Sequence, residues 1–95
     1  MFVHMFAFQW EPGTTEAQKH IAAVKIREFE GRIDGLLEVL VGRNLSQRGG
    51  GYELGGVMKF SDRAAFEAYN DHPLHKELLS WLLPLIQPIE VDFAL

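Results

Sequence analysis

Two hydrophobic rhythms run along this chain, one of period two and one near 3.6, and their succession lays out the elements. From Phe2 to Trp10 the rhythm is that of a strand. Phe2, His4, Phe6, Phe8 and Trp10 share one face; Val3, Met5, Ala7 and Gln9 share the other. Both faces are largely apolar, which predicts a strand covered on both sides. Glu11-Pro12-Gly13 reads as a turn. Thr15-Glu16-Ala17-Gln18 then fits a capping box. Ala17, Ile21, Ala22, Val24, Ile26 and Phe29 fall at helical spacing, and Gly31 is a fitting stop. The pattern predicts a helix over about 15–30.

Leu36 to Gly42 is rich in Leu and Val and reads as a second strand. Arg43 to Gly51 has no packing face and ends in three glycines, which predicts a flexible loop between strands. Tyr52 to Phe60 resumes the alternation, with Tyr52, Leu54, Gly56, Met58 and Phe60 on one face. Gly55 and Gly56 inside that run suggest a bulge or a close approach to the backbone. Ser61 or Asp62 caps a helix whose apolar side carries Ala65, Phe66 and Tyr69. Pro73 breaks it and suits the first position of a new helix. Leu74, Leu78, Trp81, Leu82 and Leu85 continue a buried stripe up to Pro84. Beyond Pro88, a residue suited to strand entry or an edge, Ile89, Val91, Phe93 and Leu95 alternate with Glu90, Asp92 and Ala94 in a last strand.

Strand, helix, strand, strand, helix pair, strand is the split β-α-β-β-α-β unit of an α+β, ferredoxin-like fold. Right-handed crossovers place both helical segments on one face of a four-stranded antiparallel sheet. The other face, with Val3, Met5 and Ala7 on it, is left bare and apolar. Large contiguous apolar patches are uncommon on monomers. The expectation is a homodimer in which two such sheets face each other as a barrel.

Ninety-five residues make one domain, 1–95. An apolar fraction of 47% is too high for disorder. A net charge of −4 gives no electrostatic footing for nucleic acid. The chain has no cysteine, so disulfide and thiolate chemistry are excluded. No apolar stretch nears the roughly 20 residues of a membrane span, and Met1-Phe2-Val3-His4 does not open a signal peptide. A cytoplasmic protein is expected.

The chemistry concentrates in Tyr69-Asn70-Asp71-His72-Pro73-Leu74-His75, a phenol and two imidazoles across a helix break. His72 falls near the N-cap and His75 in the first turn, where the positive end of the helix dipole disfavours imidazolium. A neutral histidine is the form that accepts a proton. The competing reading is a well-capped corner with surface imidazoles. His72 is better suited to capping than to catalysis, and His20 to solvent. His72 and His75, three apart, lack the third ligand that a zinc site needs. No metal is expected, nor a phosphate loop or dinucleotide fingerprint that would imply a cofactor.

The chain resembles the stress-responsive dimeric α/β-barrel (Dabb) family. The resemblance rests on Val3-His4-Met5-Phe6, Gly42-Arg43-Asn44-Leu45-Ser46, Gly51-Tyr52, Phe60-Ser61-Asp62, Ala68-Tyr69, His72-Pro73-Leu74-His75, Pro84-Leu85 and Val91-Asp92-Phe93. It implies a ferredoxin-like homodimer but no single activity. Members include proteins of unassigned function, stress-linked structural proteins and plant polyketide (olivetolic acid) cyclases. In the cyclases a histidine on the helix corner acts as base and a tyrosine assists. Those positions correspond to His75 and Tyr69, and the first-strand histidine to His4. A further cyclase histidine is replaced here by Leu54.

These residues define the candidate site. His75 is the expected base, Tyr69 the donor to a developing oxyanion, and His4 a second polar group. Phe6, Phe8, Phe66, Leu78, Trp81 and Leu82 are the expected lining of a small apolar pocket, although the same residues would serve as ordinary core. Arg43 and Arg48 are candidates for an anion beneath the loop. The leading reading is cofactor-free proton abstraction or cyclisation of a small carbonyl or aromatic compound, a lyase- or cyclase-type activity. A non-catalytic stress-related assembly protein comes second, and a cofactor-free monooxygenase third.

Overall fold

A computed structural model describes all residues, Met1–Leu95. Its elements are β1 (Phe2–Trp10), α1 (Glu16–Arg27), β2 (Leu36–Arg43), β3 (Leu54–Phe60), α2 (Arg63–Asp71), α3 (Pro73–Leu82) and β4 (Ile86–Ala94). A short 3-10 turn, Leu83–Leu85, separates α3 from β4.

Local chemistry starts each helix where the residues call for it. The Thr15 hydroxyl accepts from the Gln18 N–H at 3.1 Å, and the Gln18 side chain accepts from the Thr15 N–H at 2.9 Å, a complete capping box. Asp62 caps α2 by accepting from the Ala65 N–H at 2.8 Å. The first helix ends at Arg27, earlier than expected, because the chain tightens there into successive i→i−3 turns before Gly31. Its buried stripe also differs. Ala22, Ala23 and Ile26 face the sheet, while Ala17 and Ile21 lie outside and Val24 at the edge. Two small side chains let the helix sit close to the strands, and that rotates the larger Ile21 outward.

The sheet order is β2-β3-β1-β4, antiparallel throughout. One face lies beneath the helices. Phe2, His4, Phe6 and Phe8 of β1 stand there opposite Phe60, Met58, Gly56 and Leu54 of β3. Nearly all of these side chains are buried, Phe60 and Met58 completely or nearly so. The glycine pair causes no bulge; the register shift falls in β2, between Leu36 and Glu38. Gly56 instead makes room for a close approach. The Phe6 ring lies directly over it, and a Cβ there would overlap the ring.

The loop after β2 is tied rather than loose. Asn44 donates to the Tyr52 carbonyl and accepts from the Ser46 N–H, and Ser46 accepts in turn from the Arg48 N–H. β3 consequently starts at Leu54 and not at Tyr52. β4 starts at Ile86, so Pro88 lies inside the strand. It is tolerated because β4 is an edge strand, paired only with β1.

No helix covers the second face. There the register lines up Leu40, Val57, Met5 and Val91 across all four strands. Ile89 and Phe93 extend this apolar row, and most of its large side chains are exposed. A Glu38–Lys59 ion pair at 2.9 Å marks its border.

Candidate functional site

The helix corner is set by its proline. A residue before proline is pushed out of the helical region, and His72 is extended at φ −68°, ψ 137°. Its Nδ1 accepts from the Leu74 N–H at 3.1 Å, so His72 caps α3 and its lone pair is in use. His75, one turn on, has Nδ1 3.2 Å from the Asn70 carbonyl oxygen. A carbonyl only accepts, so Nδ1 carries the hydrogen. In the neutral ring, Nε2 then holds the free lone pair. Burial pushes His75 below the ordinary histidine range. The Asn70 carbonyl and Glu90 oppose this, while His4 and His72 add to it. His75 is thus held as a neutral proton acceptor.

Tyr69 lies beneath it, 3% exposed, with ring centres 4.3 Å apart. No group of the chain hydrogen-bonds its hydroxyl. Burial first, and the Glu90 carboxylate second, push the phenol above its ordinary value, so it serves only as a neutral donor. His4 is also buried, its ring 6.2 Å from Tyr69. The His4 Nδ1–H donates to the Asp92 carboxylate at 2.5 Å. This fixes the imidazole and leaves Nε2 as the nitrogen available to a ligand.

These three residues line one cavity of about 60 Å³ between sheet and helices. Phe6, Phe8, Leu78 and Leu82, named from the sequence, line it too. Phe66 and Trp81 do not. Phe66 stacks on Phe2 at 4.9 Å, and Trp81 faces a separate groove of about 390 Å³ with Phe29 and Leu74. Arg43 is elsewhere again, 3.6 Å from Glu16 in an open depression by Trp10. Arg48 stays in the surface loop.

Sequence reasoning missed Ile26, Met58, Leu79, Leu83, Ile86, Pro88 and Glu90 in the lining, and Asp92 behind His4. The acidic pair was visible. Glu90 and Asp92 alternate with Ile89, Val91 and Phe93, and pairing β4 with β1 puts them opposite Phe6 and His4. Only the pairing shows which side of β4 faces the helices.

By the same measure one water needs about 10–15 Å³, whereas drug-sized pockets span about 300–1,000 Å³. The cavity suits a ligand of a few heavy atoms. It offers a proton acceptor, a neutral hydroxyl donor and a second oriented imidazole within an apolar wall. No three His, Asp or Glu side chains converge as a metal cluster would require.

A four-stranded antiparallel sheet in this order, with helices on one face, defines a ferredoxin-like α+β protein. Over residues 2–94 the sequence matches the model of the stress responsive A/B barrel domain, and the chain belongs to that family. No curated protein matches the sequence. Among solved structures it is similar to a dimeric ferredoxin-like protein of unknown function from Thermobifida fusca, at 26% identity and TM-score 0.86, covering 99% of this chain and 90% of that one. The hydroxynitrile lyase of Passiflora edulis shares the fold at 14% identity and TM-score 0.87, with 99% and 93% covered. So does SnoaB, a cofactor-independent oxygenase from Streptomyces nogalater, at 15% identity and TM-score 0.78, with 99% and 91% covered.

Proposed function

We propose that this protein is a homodimer that performs cofactor-free proton transfer on a small carbonyl compound. The observation that carries the reading is the pairing in one apolar cavity of His75, kept neutral with Nε2 unoccupied, and Tyr69, kept protonated with its hydroxyl unpartnered. In the step, Nε2 of His75 takes the proton from the carbon beside the carbonyl. The C–H electrons move into the carbonyl, whose oxygen becomes an enolate. The Tyr69 hydroxyl donates to that oxygen, and His4, oriented by Asp92, supplies a second polar contact. Returning the proton from His75 to carbon restores the carbonyl compound and the protein; where the enolate carbon instead bonds to a second carbonyl carbon, the proton goes to the alkoxide oxygen that this addition forms.

Pairing of subunits is supported by the apolar row across the uncovered face and by the similarity to a protein described as dimeric. Two such faces packed together remove that row from water.

The test follows exchange of the α-hydrogens of acetone and acetylacetone in deuterated water by NMR. The expected result is protein-dependent exchange that falls about 10²–10⁴-fold in His75→Ala. Exchange unchanged in that variant removes His75 from the mechanism. The small volume favours a second reading, a stress-related assembly protein without chemistry. Absence of exchange and of binding across a panel of small ketones and phenols, in a well-folded dimer, would decide for it.

A further inference from the structure

Glu90 is an acid that the proposed reaction does not use. It stands on β4 opposite Phe6, on the side of the sheet beneath the helices. It lines the cavity, and its charge reaches both Tyr69 and His75. No lysine or arginine lines the cavity with it. Nothing in the chain forms an ion pair or a side-chain hydrogen bond with its carboxylate. The start of α3 gives little compensation. The Leu74 N–H is taken by the His72 ring and the Lys76 N–H by the His72 carbonyl.

We propose that this cavity selects small carbonyl compounds that carry no negative charge, and that Glu90 sets that preference. The proposal rests on the proton-transfer reading and names its substrate class. A neutral carbonyl compound accepts from Tyr69 through oxygen and offers hydrogen to Nε2 of His75. A carboxylate of the same size presents a second anionic oxygen to that lone pair. It also brings its charge toward Glu90, which shares the cavity wall with both groups and has no cation there to offset it. Compounds with an ammonium group gain from the same field. Glu90 is exposed and without partners, so replacing it leaves the fold intact.

The experiment compares acetamide and acetate, which match in shape and differ in charge. Their binding is read from shifts of the His75 and Tyr69 ring signals by NMR at constant ionic strength. Acetamide is expected to bind at least about fivefold more tightly than acetate. In Glu90→Gln the two should fall within about twofold, and Glu90→Lys should favour acetate. Equal binding of both by the wild-type protein, or an unchanged ratio in Glu90→Gln, overturns the charge selection while leaving the proton-transfer site standing. Failure of acetamide to shift either ring at any concentration overturns both.

Discussion

The two faces of the sheet come from the same four strands and follow opposite rules. Beneath the helices, aromatic side chains seal a core, yet this covered side also holds His4, Glu90 and Asp92. The uncovered side carries Met5, Leu40, Val91 and Phe93, all exposed. In β4 the pattern inverts after its first residues: Ile86 and Pro88 still face the helices, but beyond them Glu90 and Asp92 take that side while Ile89, Val91 and Phe93 face away. Such a strand contradicts the usual apolar-in, polar-out arrangement of a solvated sheet. Polarity here follows what covers each face: one lies beneath the helices and holds a small cavity, the other is bare of helices and presents an apolar row.

That division can be broken at several points. The heaviest loss should come from Phe60→Ala, which empties the most buried aromatic site and costs about 3–5 kcal/mol of subunit stability in urea unfolding. A much smaller loss would mean that the covered face is not the principal core. Met5→Asp places a charge at the centre of the bare row. It should weaken subunit association at least about a hundredfold, roughly 3 kcal/mol, in sedimentation equilibrium, with circular dichroism preserved. Persistence of the pair would mean that association uses another surface.

Asp92→Ala should cost about 1–3 kcal/mol, because it leaves a buried N–H of His4 unpaired. Thr15→Ala, far from both faces, should cost only about 1 kcal/mol through the lost cap. The smallest effect concerns pH. His75 has a lowered value in the folded state, so the unfolded chain binds the proton first as pH falls below about 6.5. Stability should decline from there down through the folded value and level off below it. His75→Gln should remove that part of the slope. On the alkaline side Tyr69, raised on folding, should make stability decline once pH rises above about 10.

Most of the architecture was legible because it rests on local chemistry. The capping box at Thr15, the proline at the helix corner and the two-sided apolar pattern of β1 each name their element unaided. Tyr69, His75 and His4 were legible as a group because a short motif and one strand position carry them. What escaped depended on register. The loop after β2 has a composition that suggests freedom, yet Asn44 and Ser46 tie it through hydrogen bonds that composition does not encode. The positions of Glu90 and Asp92 follow only from which strand β4 joins and in what phase. A one-residue slip would have placed both on the bare face. Trp81 and Phe66 have the right chemistry for a pocket wall but occupy helix faces turned to other grooves.

The ring of Phe6 is at once a wall of the cavity and the cover of Gly56. The width of the chamber is therefore governed from outside its wall, by a residue with no side chain of its own. One added methyl at Gly56 would drive the ring off its seat and reshape the chamber, and because the same ring lies 5.6 Å from that of His4, the disturbance would reach the imidazole as well.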